Sequence, residues 1–136
     1  MLKIARIVLN SDIVYDNVDV YKFGEPGGKF IPDLFERFQL YICNATTRAT
    51  VNMNMIAIMQ LRRMPIQPYM TRVKRLVVTY GETSFGPAYL IPESYYNELD
   101  IPALFEYNYK QIDHCAFIAD GWLYLTRDDL IISIEH

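Results

Sequence analysis

The stretch from Ala49 to Leu61, ATVNMNMIAIMQL, constrains the fold most, because apolar residues recur in it with period two over an unmatched length. A pleated strand would carry Val51, Met53, Met55, Ala57, Met59 and Leu61 on one face and Asn52, Asn54, Ile56, Ile58 and Gln60 on the other. At the helical angle Asn52 and Asn54 fall on well-separated sides and no clean apolar stripe forms, so the helical alternative loses on pattern. The second face turns from polar to apolar, which places the start of the strand at a rim and its end beneath a covering layer. The stretch is therefore predicted to be the central strand. On that reading Met55→Asp puts an unpaired charge in the core, while Asn54→Asp is nearly silent.

The rest of the chain alternates in the same way. Leu2 to Leu9 and Ile13 to Phe23 read as strands joined at the polar cluster Asn10-Ser11-Asp12. Gly24 to Gly28 breaks the chain, and Asp33 to Arg37 suits a single helical turn. Phe38 to Asn44 is a strand expected to pair with the central one through a loop at Ala45 to Arg48. Pro65 and Pro68 exclude a ladder between Arg62 and Tyr69. A strand follows from Arg72 to Tyr80, then a loop from Gly81 to Pro87 and a short helix from Glu93 to Leu99 opened by Pro92. Residues 103–113 carry no decisive pattern. Asp120-Gly121, between Cys115 to Ala119 and Trp122 to Thr126, is the dipeptide of a two-residue type I′ hairpin. With Leu130 to Glu135 added, the end reads as a three-stranded antiparallel meander.

These elements predict a mainly β fold, an antiparallel sandwich or barrel of about eight strands with one or two short helices, and α+β as the alternative. A length of 136 residues suits one domain, spanning 1–136, able to bury a core without metals or disulfides. Cys43 and Cys115 have no framework spacing, so two reduced thiols are expected, with a single disulfide the other possibility. Asn44-Ala45-Thr46 reads as a turn rather than a glycosylation site. Lys3 and Arg6 interrupt the N-terminal apolar run, and no 18 consecutive residues are apolar, so neither a secretory leader nor a membrane span is expected and the location is taken as cytoplasmic.

Charge is the feature that bears on partners. Residues 1–36 carry −2, residues 37–81 carry +7 without a single acid, and residues 82–136 carry −8. The middle of the chain is a basic block and its C-terminal part an acidic one. Arg62 and Arg63 would close the central strand and Arg72, Lys74 and Arg75 open the next, with Tyr69 between them. Those six residues form the candidate partner-binding set. Arginine and tyrosine serve protein interfaces as hot spots and single-stranded nucleic acids as phosphate contacts and stacking platforms. The net charge of −3 and the matching acidic region favour protein contact, including head-to-tail self-association.

Catalytic and metal signals are weaker. Gly24-Glu25-Pro26-Gly27-Gly28-Lys29 lacks the spacing and the final Ser or Thr of a phosphate loop. Asp113-His114-Cys115 offers a base and a thiol, yet neighbours on a strand point to opposite faces. Two Cys and two His fall short of a convincing zinc set. The pairs Asp128-Asp129 and Glu93 with Glu98 read as a solvated turn and a helix start. No cofactor or metal is implied. The expected function is a non-enzymatic interaction or assembly module, of the kind viral particles and multi-protein complexes use, acting in a host cytoplasm or virion if viral. The alternatives are a single-stranded nucleic-acid binder using the basic block 48–75, and a small enzyme with His114 as base.

Overall fold

The structure, a computed structural model, describes residues 2–21, 39–79, 83–96, 98 and 114–136. They form β1 (Leu2–Leu9), β2 (Val14–Tyr21), β3 (Gln39–Cys43), β4 (Arg48–Asn52), β5 (Ile56–Arg63), β6 (Thr71–Val73), β7 (Arg75–Val78), β8 (Thr83–Phe85), β9 (Ala88–Leu90), β10 (His114–Ala119), β11 (Trp122–Arg127) and β12 (Ile131–Glu135). A nine-stranded sheet runs β4-β3-β2-β1-β5-β11-β10-β9-β6, and a three-stranded sheet runs β12-β7-β8. Every pairing is antiparallel. The expected mainly β architecture is the one adopted, with twelve strands among the described residues where about eight were expected. Among the described residues the helical pieces are single 3-10 turns at Met53–Met55, Glu93–Tyr95 and Asp128–Leu130. The expected turn at 33–37 and the stretch 103–113 lie outside the described residues.

The long apolar run is two strands rather than one. Its first part is β4, at the edge of the large sheet, and its second is β5, in the middle; the turn Met53–Met55 joins them. Four strand spacings of about 4.8 Å separate edge from centre in a flat sheet, roughly 19 Å. The chain from Asn52 to Ile56 reaches at most about 14 Å. The half-sheet from β4 to β5 is therefore curled back on itself. Inside the curl lies one core, including Ile4, Ile7, Val18, Leu40, Ile42, Val51, Met59, Leu61, Ile118 and Leu123. A second core, with Ala57, Ile58, Val73, Leu76, Val78, Phe117 and Leu130, fills the space between the outer face and the small sheet.

β5 is thus buried on both faces, as the loss of polar residues after Asn54 suggested. Its alternation, however, is interrupted. Leu9 faces Ile56 and Val8 faces Ile58, so Ala57 is an extra residue in the ladder with β1, and the bulge exchanges the faces on either side of it. Met59 and Leu61 point into the curl with Ile56, whereas Ala57 and Ile58 point to the second core. Met55, expected inside, is 43% exposed because it belongs to the turn and not to the pleat.

Two further expectations are corrected by how the chain changes sheets. The strand expected over Arg72 to Tyr80 breaks at Lys74: β6 closes the large sheet and β7 enters the small one. Lys74 N–H donates to Glu135 O at 2.7 Å, and Gly86 lies so close that a Cβ there would come within 2.7 Å of Lys74 O. The C-terminal meander does not form either. β10 and β11 make the expected hairpin, with Asp120 at φ 51° and Gly121 at φ 79°, but β12 pairs with β7. The turn Asp128–Leu130 swings the chain across; Leu130 is buried in the second core and its carbonyl accepts from both the amide and the hydroxyl of Thr79 at 2.8 Å.

Candidate functional site

The register shows where the basic block goes. Arg62 faces Leu123, Leu123 faces Ile118, Ile118 faces Tyr89 and Tyr89 faces Arg72, so both arginines lie on one cross-strand row. Along that row they are at most about 19 Å apart, four strand spacings. Arg63 is one step beyond Arg62 opposite Trp122, and Lys74 and Arg75 follow where the chain leaves β6 at this same end of the strands. All five cations are exposed. The sheet therefore gathers Arg62, Arg63, Arg72, Lys74 and Arg75 at one pole, although Arg75 belongs to the small sheet. Asp120 and Glu135 are the described acids beside them.

Within this pole Arg63 is held in place. The Arg63 guanidinium lies 4.3 Å from the centre of the Trp122 ring, and its Nη1 donates to Asp120 O at 3.1 Å. Gly121 makes room for it, since a Cβ there would meet Nη1 at 3.2 Å. Tyr69, expected among the cations, instead precedes β6 on the side of Thr71 rather than Lys74; its ring stacks on Tyr95 at 3.7 Å with planes 3° apart, and both rings pack against the curled core. The loop between, residues 64–70, is anchored by Met64 N–H to Gly121 O at 2.9 Å and leaves Ile66 exposed. Trp122 and Tyr95 were not picked out from the sequence. The Asp-Gly turn locates Trp122, but only the β5 to β11 pairing puts it under Arg63.

The catalytic candidates are dispersed. His114 opens β10, half-buried, its carbonyl accepting from the Tyr96 hydroxyl at 3.3 Å while that hydroxyl accepts from Ala116 N–H at 3.0 Å. It lines a recess with Met59, Thr126 and Arg127 whose cavity volume is about 10 Å³, room for about one water. Burial, reinforced by Asp128, pushes the Cys115 thiol up to about 12, so it stays protonated at neutral pH, the reverse of an activated nucleophile. Cys43 and Cys115 are not joined in a disulfide. Asp129 pairs with Arg127 at 2.5 Å, and Glu93 and Glu98 are exposed. Among the described residues no three His, Cys, Asp or Glu side chains could hold a metal ion, and no helix is long and apolar enough to cross a membrane. Asp113 and the Gly24 to Lys29 stretch lie outside the described residues. Comparison with family models, curated proteins and solved structures returned no match.

Proposed function

We propose that the chain is a non-enzymatic protein-contact module that binds through its basic pole, an assembly or accessory component of the kind viral particles and multi-protein complexes employ. The carrying observation is the convergence of Arg62, Arg63, Arg72, Lys74 and Arg75 on one end of the sheet. Arginine beside tryptophan and tyrosine is the composition that supplies most binding energy at protein interfaces. The single-stranded nucleic-acid reading is second because its stacking surface is already used: Tyr69 stacks on Tyr95, and Arg63 covers one face of Trp122. Fluorescence anisotropy with a labelled polyglutamate peptide and a labelled oligo-dT separates the two. At ~50 mM salt, where surface charges are weakly screened, the peptide should bind and the oligonucleotide should not. Charge reversal of Arg62, Arg63 and Arg72 should weaken the peptide about tenfold or more. Tighter oligonucleotide binding would reverse the order of the two readings, and no binding of either would remove the basic pole as a contact surface.

A further inference from the structure

The opposite pole has the complementary chemistry. Three turns meet there: Leu9 N–H donates to Ile13 O at 2.9 Å, Asn10 N–H to Met55 O at 2.8 Å, and the Arg127 guanidinium to Asn54 O. Ile13, Val14 and Met55 are 43 to 48% exposed on this rim. The side-chain oxygens of Asn10 and Asn54 are buried without a hydrogen-bond partner. Asp12, Asp128 and Asp129 are the exposed acids of the same rim, against Arg127. Both asparagine oxygens are closed off from the surface, so they lie beneath the rim's exposed residues and are not part of a contact made there.

We infer that this rim is the docking site for the basic pole of a second copy of the chain, in a head-to-tail contact; the inference rests on the basic pole being a protein-contact surface. The exposed carboxylates of Asp12, Asp128 and Asp129 against Arg127 leave the rim acidic, the complement of the five cations of the basic pole. Ile13, Val14 and Met55 then cover the apolar stems of the incoming arginines and the exposed Ile66. Because the two surfaces differ, the contact is heterologous and propagates into chains or a closed ring.

Complementation tests this directly. R62E/R63E changes only the basic pole and I13S/M55S only the rim, all at exposed positions, and unchanged thermal melts establish that both variants fold. By light scattering the wild type should exceed monomer mass at ~50 mM salt and dissociate toward monomer near ~1 M, where the screening length falls to about 3 Å. Each variant alone should be monomeric, and an equimolar mixture should give a dimer with one copy of each, since one intact pole and one intact rim remain. A rim variant that assembles like wild type, or a mixture that stays monomeric, overturns the inference. A wild type monomeric throughout but still binding polyglutamate also overturns it, while leaving the contact reading standing; loss of both removes both.

Discussion

Met55 and Met59 are four residues apart in one run, yet a single residue type has two roles there: Met59 is 1% exposed in the curled core and Met55 is 43% exposed on the rim. Met59→Ala should cost about 2 to 5 kcal/mol, transfer free energy plus a cavity. Met55→Asp should stay within about 0.5 kcal/mol. Chemical denaturation of the two variants checks the contrast, and equal losses would place Met55 in the core after all. Two partly buried ionisable groups at β10, Cys115 on the strand and Tyr96 bonded to its backbone, set an alkaline limit. Burial pushes the Cys115 thiol and the Tyr96 phenol up to about 12, from 9.0 and 10.0. Both are neutral when protonated, and the unfolded chain loses these protons first as pH rises. Their contribution is therefore full below about pH 9 and is lost progressively toward pH 12. Melting temperature should fall across that window, and Tyr96→Phe combined with Cys115→Ala should flatten the fall; an unchanged slope would assign it to other groups.

At the scale of elements, what could be read in advance was local and what could not was non-local. The hairpin at Asp120-Gly121 and the turn at Asn10-Ser11-Asp12 were legible because their residues have specific dihedral preferences, Asp12 at φ 65° and Gly121 at φ 79°. Asn44 likewise caps its own turn, accepting from Thr46 and Thr47 amides at 3.0 and 2.8 Å. Breaks inside strands were not legible. Ile4 and Ile7 are both fully buried in one core, an odd spacing that an uninterrupted strand cannot give, and the irregularity lies at Asn17 across the hairpin, with φ 51°. Ala57 and Lys74 mark similar breaks, each set by a partner far away in sequence. The basic residues of the candidate surface were identifiable as a charge block. Their common row was not, since it depends on four strand pairings. Asn54, expected to be a free polar residue at a strand end, has a buried and unpartnered oxygen because the turn folds it under Arg127.

For the whole molecule, the two cores share one layer. β5, β10 and β11 send side chains both ways: Met59, Ile118 and Leu123 into the curl, Ile58 and Phe117 outward, with Tyr124 packed against the outer cluster. β3 and β4 serve only the curl, and β7 serves only the outer core. Local stability follows the number of buried contacts that an opening must break, so amides of β5, β10 and β11 should exchange most slowly and those of the edge strands β4 and β12 earliest. Two fully or nearly fully buried residues probe the halves separately. Leu76 at 0% exposure belongs to the outer core and Ile42 at 2% to the inner one. Each truncation to alanine should cost about 2 to 5 kcal/mol. If the shared layer insulates the halves, Leu76→Ala speeds exchange in β7, β8 and β12 while β2 to β4 keep their protection, and Ile42→Ala does the reverse. Uniform acceleration by either variant would instead mean that the shared strands couple the cores fully, so that a contact made at the basic pole would be felt at the opposite rim.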